Sequence, residues 1–138
     1  MKRLLYISTA RAILDASELD ELLDKSRAAN SMVDLTGLLV VGGRRFLQVL
    51  EGPDEAVNET YERIRLDPRH FAIVKLHDKS IEARSFGSWS MGFERGGEAA
   101  ASDSLADQVN SLVAAIGDPT LRAYFTGFVE NHATRVNG

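Results

Sequence analysis

The chain has 138 residues, 44% hydrophobic and 26% charged, a composition typical of one ordinary globular domain. Sixteen Lys and Arg against twenty Asp and Glu give a net charge of -4, which argues against non-specific binding of nucleic acid. The absence of cysteine excludes disulfides and cysteine-ligated metals. No apolar run approaches the ~20 residues that cross a bilayer, so we expect a cytoplasmic protein without membrane contacts.

Residues 3–8 form the first predicted strand, which is short and apolar on both faces. Because side chains alternate along a strand, Tyr6 shares a face with Leu4 and Ser8. Apolar residues on both sides are expected of a central strand that is covered on both faces. Tyr6 is therefore predicted to lie in an apolar layer.

The first helix is predicted to begin at a capping box, because Ser17 and Asp20 have the required spacing. Its core-facing stripe starts with leucines and ends in the polar residues Ser26 and Asn30. Burying an amide without a partner costs about 1–3 kcal/mol, so we expect a polar group to meet Asn30. A helix C-cap role for Asn30 is the alternative.

Residues 35–41 and 45–50 predict two strands around a Gly-Gly hairpin turn. In the second of these strands, Gln48 is a lone amide in an otherwise apolar row. A second helix follows from Pro53 to about Asp67, and residues 71–77 and 85–93 predict two more strands. No carboxylate, histidine or nucleophile accompanies Tyr6 and Gln48 in the strand pattern.

The element order β-α-β-β-α-β-β predicts an α+β fold, a ferredoxin-like sandwich with both helices on one sheet face. We assign residues 1–95 to this domain and residues 96–138 to a linker and a C-terminal two-helix tail. The tail helices, within 103–132, are expected to pack on the opposite sheet face or on another copy of the chain. Strands one and three are neighbours in this topology, so Tyr6, Gln48 and Asn30 should converge. Such a site suits a flat polar ring held by hydrogen bonds.

Over residues 3–93 the chain resembles the BLUF family of flavin photoreceptors. The matching stretches are LLYIS, SRAAN, LTGLLV, FLQVLEG, YERI followed by DPRH, and R-x-F-x-x-W-x-MGF. The resemblance implies a blue-light sensor, not an enzyme, that binds FAD, with FMN or riboflavin as possible substitutes. It also implies a signal passed to an unidentified protein partner or through a homo-oligomer.

The resemblance also implies roles for individual residues. Tyr6 matches the tyrosine that gives an electron and then a proton to the excited flavin, and Gln48 matches the glutamine whose rearrangement alters the flavin hydrogen bonds. Asn30, with Ser26 one turn before it, matches the grip on the pyrimidine end of the ring. Ile64 would pack on the ring. The ribityl and phosphate side is assigned to Arg63, Asp67, Arg69 and His70, and the signal switch to Trp89 and Met91. Ala29 departs from the pattern, since relatives often carry His or Asn there.

Two other functions remain open at this stage. One is a flavin-free interaction module on the same scaffold. The other is an acylphosphatase-like hydrolase, for which Arg11 and Asn30 are suitable residues but a glycine-rich anion loop is missing after the first strand. The three histidines have no ligand spacing, so no metal site is predicted.

Overall fold

The order of strands and helices is the predicted one, and the computed structural model describes residues 1–12, 15–42, 44–85, 92–95 and 118–128. The elements are β1 (Lys2–Ala10), α1 (Ala16–Met32), β2 (Thr36–Gly42), β3 (Arg45–Gly52), α2 (Asp54–Arg65), β4 (His70–Ser80), β5 (Gly92–Arg95) and α3 (Pro119–Phe128). Among the described helices, none is long and apolar enough to cross a membrane.

The five strands form one sheet in the order β4-β1-β3-β2-β5. β1 pairs antiparallel with both β4 and β3, β3 pairs antiparallel with β2, and β5 joins β2 in parallel. Tyr6 lies directly opposite Gln48 in the β1–β3 register. The prediction that strands one and three are central neighbours is therefore confirmed.

The start of α1 differs from the prediction. Asp15, not Ser17, is the N-cap: its carboxylate accepts a hydrogen bond from the Glu18 N–H, while Glu18 reaches back to the Asp15 N–H. Glu is one methylene longer than Asp, which lets its carboxylate return to the cap in the usual capping box. Asp20 lacks that reach, and the Ser17–Asp20 spacing lies inside the helix.

Helices cover both faces of the sheet. On one face α1 and α2 pack through Leu19, Leu23, Val57 and Tyr61 onto a layer made of Leu4, Tyr6, Leu39, Val41 and Leu50. On the other face α3 packs through Leu121, Phe125 and Phe128 onto a layer made of Leu5, Leu38, Val40, Leu47 and Val49. Each strand thus sends alternate side chains into two separate cores. This confirms that α1 and α2 share a face and places α3 on the opposite one, as expected for the second tail helix.

The strand predicted over 85–93 is described only at its two ends, as a bend at Ser85 and as the start of β5 at Gly92. The polar groups of Ser85 bond to Arg3 and Glu51, at the ends of β1 and β3. Trp89, Met91 and the first tail helix lie outside the described residues.

Candidate functional site

A cavity of about 310 Å³ lies between α1, α2 and the sheet. Its volume is within the range of small-molecule binding sites, roughly 300–1,000 Å³. Nine of the residues predicted from the sequence line it: Tyr6, Ser26, Asn30, Gln48, Arg63, Ile64, Asp67, Arg69 and His70. The fold therefore brings together residues that are up to 64 positions apart in the sequence (70 minus 6).

Tyr6 and Gln48 form a hydrogen-bonded pair in the floor of this cavity. They are 3% and 7% exposed, and the Tyr6 hydroxyl donates to Oε1 of Gln48. An amide whose oxygen accepts this bond turns its NH2 group, a donor of two hydrogen bonds, to the other side. The tyrosine thereby fixes which end of the Gln48 amide each neighbour meets.

The surroundings of Tyr6 keep its phenol protonated. Burial raises the pKa of Tyr6 far above its ordinary value, and the nearby Tyr61 and Asp67 raise it further. The Tyr61 ring packs at a tilt against the Tyr6 ring, with 5.6 Å between centroids. Tyr6 is consequently a neutral hydrogen-bond donor at any physiological pH.

Asn30 lies near the C-terminal end of α1 and is 3% exposed. Its backbone carbonyl accepts hydrogen bonds from the N–H groups of Val33 and Leu35, and the C-cap is Val33. The C-cap role for Asn30 is therefore wrong, since its amide lines the cavity from within the helix. Ser26, one turn earlier, lines the same wall.

Charged residues gather where α2 ends. Arg69 donates to the Asp67 carboxylate through its backbone N–H at 2.9 Å and its guanidinium at 2.5–3.0 Å. These bonds hold the pKa of Asp67 below its ordinary value, and the pair is largely self-neutralised. Arg63, in contrast, makes no ion pair within the described residues, so its cation remains available at the cavity.

His70 ties the sheet to α2. Its Nε2 donates to the Ile64 carbonyl at 2.5 Å, and its Nδ1 forms a hydrogen bond of 3.0 Å with the Ser8 hydroxyl. Ile64 packs on the helix-side core as well as lining the cavity. His70 thus sets the distance between β1 and the end of α2, a positioning role that the sequence did not indicate.

Some lining residues were not singled out from the sequence. Lys25 lies beside Ser26 on α1 and pairs with Glu21 at 3.0 Å, and Thr60, 6% exposed, lies one residue before Tyr61. Helical spacing could have found both, because each is three residues after a core or cavity residue, Leu22 and Val57 respectively. The apolar walls come from Ala10, Leu22, Ala29, Leu39, Phe46 and Leu50.

These residues fit a flavin. Apolar walls suit the faces of a tricyclic ring, and the amides of Asn30 and Gln48 suit its polar pyrimidine edge. The cation of Arg63, which has no ion-pair partner among the described residues, suits a phosphate. No group of His and carboxylate residues that could hold a metal ion occurs in the described part of the chain.

Comparison with known proteins identifies the family to which this chain is similar. The BLUF family model, described as sensors of blue light using FAD, matches residues 1–92. The blue light- and temperature-regulated antirepressor BluF of Escherichia coli K12 is 38% identical over 88 residues, which are 64% of this chain and 22% of that protein. The photoactivated adenylate cyclase subunit beta of Euglena longa is 33% identical over 89 residues, 64% of this chain and 10% of that protein. The chain therefore spans less than a quarter of these relatives.

Solved structures agree. A bacterial light-regulated adenylyl cyclase superposes with a TM-score of 0.70 at 31% identity, covering 83% of this chain and 33% of that one. The BLUF protein BlrB in its dark state superposes with a TM-score of 0.66 at 28% identity, covering 89% and 82% of the two chains. The family model matches residues 1–92, which include every residue that lines the cavity. We conclude that this chain belongs to the BLUF family and is a blue-light sensor that uses a flavin.

Proposed function

We propose that Tyr6 and Gln48 are the light-driven switch of this sensor and that Asn30 and Ser26 hold the pyrimidine edge of the flavin ring. The buried hydrogen bond from the Tyr6 hydroxyl to Gln48 Oε1, inside the cavity, is the observation that carries this proposal. FAD is the proposed flavin, since the family is described by it. Arg63 is proposed to face the phosphates, with Asp67, Arg69 and His70 shaping that end.

When bound, the flavin would supply the absorption of blue light and an acceptor for one electron. Tyr6 provides that electron, and its O–H bond then breaks. Because burial opposes a charged phenolate, the proton would not leave before the electron. The hydrogen bond to Gln48 Oε1 gives the proton its direction. The electron and the proton both return to Tyr6 in the dark.

Gln48 converts this transfer into a change of hydrogen bonding. In the dark the Tyr6 hydroxyl keeps Oε1 turned toward β1. Loss of that donor removes the restraint, so the amide can rotate or change tautomer and present a different edge to the cavity. The outcome is a reversible switch without a released product, consistent with the BLUF domain being a sensor module.

We further propose that a domain of residues 1–95 senses light and that the tail, residues 96–138, carries the output to a partner protein or to a second copy of the chain. The packing of α3 on the face opposite the cavity supports this division. Trp89 and Met91 remain proposed switch residues, and a cytoplasmic location remains a proposal. Light scattering in the dark and under illumination tests whether the copy number changes.

The test is the absorption spectrum of purified protein before and after a blue flash. We expect a flavin spectrum that shifts to the red and recovers in the dark. Tyr6→Phe removes the hydrogen-bond donor and Gln48→Leu removes the acceptor, so both should bind flavin and lose the shift.

Tyr61→Phe is the matched control. It deletes a hydroxyl from the buried tyrosine that packs against Tyr6, and it should keep the shift. A Tyr6→Phe protein with the full red shift would contradict the proposed switch. A colourless wild-type protein that takes up no added FAD would instead favour the flavin-free interaction module.

A further inference from the structure

The sheet face opposite the cavity carries a buried ion pair. Arg3 of β1 and Glu51 of β3 lie opposite each other in the strand register, and Nε of Arg3 is 2.8 Å from Oε2 of Glu51. The two side chains are 6% and 0% exposed. Burying two charges is costly, and well-packed apolar residues at such positions are often as stable or more so. A role in fixing the geometry of other groups would account for charges here.

The first group that the pair fixes is the segment after β4. The backbone N–H of Ser85 donates to both Glu51 carboxylate oxygens at 3.0 Å, and Nη2 of Arg3 donates to the Ser85 hydroxyl at 2.8 Å. The preceding residue, Arg84, donates to the Glu51 carbonyl at 3.3 Å and to the Asp34 carbonyl at 2.8 Å. Residues 84–85 are thereby held against the end of β3 and the turn after α1.

The second group is the start of α3. Nη1 of Arg3 is 3.9 Å from Oδ2 of Asp118, and Lys79 pairs with the same oxygen at 3.0 Å. The other oxygen of Asp118 accepts from the N–H groups of Thr120 and Leu121, so Asp118 caps the helix. Arg3 therefore contacts the residue that begins the helix covering this face of the sheet.

The pair is also close to the flavin site along the strands. Glu51 is three residues after Gln48 on β3, and Arg3 is three residues before Tyr6 on β1, a separation of roughly 10 Å. The ladder between the two pairs is continuous, with Leu4 opposite Leu50 and Leu5 opposite Val49. A shift of β3 against β1 at the Tyr6–Gln48 pair would be carried by backbone hydrogen bonds to Glu51.

From these contacts we propose that the Arg3–Glu51 pair is the junction that transmits the state of the flavin site to the 84–85 segment and to α3. Arg3 and Glu51 are positioning residues, since neither lines the cavity. The inference rests on the proposed Tyr6–Gln48 switch, which supplies the change to be transmitted. It predicts that light alters α3 only while the pair is intact.

The experiment is hydrogen exchange of the full FAD-loaded chain, in the dark and under blue light, read at the amides of 121–128. In the wild type we expect light to change exchange there by about fivefold or more, the lower end of allosteric couplings. The double variant Arg3→Met/Glu51→Leu replaces the pair by apolar residues and should keep the red shift while reducing the light-dependent change to less than about twofold.

Single variants test the same proposal if the double variant does not fold. Asp118→Asn keeps a good helix cap but removes the charge that faces Arg3, and it should weaken the response of α3. Asp78→Asn is the matched control, because Asp78 pairs with Lys2 and Lys75 and not with the junction. It should respond like the wild type.

Two results would overturn the junction. One is a double or Asp118→Asn variant whose α3 responds to light as the wild type does. The other is a wild type that shows the red shift with no response in α3. A wild type that binds FAD but shows no red shift would refute the Tyr6–Gln48 switch itself, and with it the signal assigned to the junction.

Discussion

Replacing Phe125 by alanine tests how firmly α3 is held on the sheet. Phe125 is fully buried among Leu5, Val49 and their neighbours, and it is the largest fully buried side chain of α3. Deleting a buried phenylalanine side chain costs roughly 3–5 kcal/mol, because apolar burial is lost and a cavity remains. That is a large part of the ~5–15 kcal/mol that stabilises a typical domain.

The assay is urea unfolding followed by circular dichroism. With a urea dependence of about 2 kcal/mol per molar, the midpoint should fall by roughly 1.5–2.5 M. Flavin absorption of the folded variant should be unchanged, since Phe125 lies on the face away from the cavity. Arg122→Ala, at an exposed position of the same helix, should change the free energy of unfolding by less than about 0.5 kcal/mol. A loss below about 1 kcal/mol for Phe125→Ala would refute the packing of α3 on the sheet.

Three further results are expected. Burial raises the pKa of Tyr6 above the ordinary 10.0, so the stability that its protonated phenol contributes is present below pH 10 and is lost as the pH rises beyond it. Absorbance titration should leave at least one tyrosine un-ionised until unfolding, and ionisation of all three tyrosines in the folded protein would contradict this. Gly37→Ala places a Cβ against the Val49 carbonyl oxygen of β3 and should destabilise the protein by ~1–3 kcal/mol or more in thermal melts. Gly127→Ala, where the added Cβ meets nothing within 4 Å, should stabilise the protein by up to ~1 kcal/mol. His70→Phe should weaken FAD binding about fivefold or more in fluorescence titration, because it releases the end of α2. His77→Phe, on the other face of the sheet, should leave the affinity unchanged. Equal affinities of the two variants would refute the role of the His70–Ile64 hydrogen bond in holding α2.

Most of the cavity lining was predictable because its key residues interrupt local patterns. Tyr6 and Gln48 are polar groups in apolar strand rows, and Asn30 ends an apolar helix stripe. The period of two along each strand fixes the face, and the ferredoxin-like strand order makes the two strands neighbours. Family resemblance then supplied the ligand and the residues at the end of α2.

The other side of the sheet was not predictable in the same way. In the sequence, Arg3 and Glu51 resemble surface charges at strand ends, and only a pairing across 48 residues makes them a buried pair. The position of Ser85 likewise follows from bonds to strands that precede it by more than 30 residues. The helix cap at Asp15 was misassigned for a different reason: two possible capping boxes overlap within one turn, and side-chain length decides between them.

The spacing along β1 and β3 also constrains how these segments can change length during evolution. Each strand carries a cavity residue and a junction residue three positions apart, Tyr6 with Arg3 and Gln48 with Glu51, so that the two project to opposite faces. A one-residue insertion or deletion within either quartet would turn one of the two side chains into the wrong core. Substitutions at the inner positions of each quartet can be absorbed by repacking, but the segments RLLY (residues 3–6) and QVLE (residues 48–51) should each keep a fixed length. A lineage could therefore lengthen the loops around the sensor while both quartets keep their register.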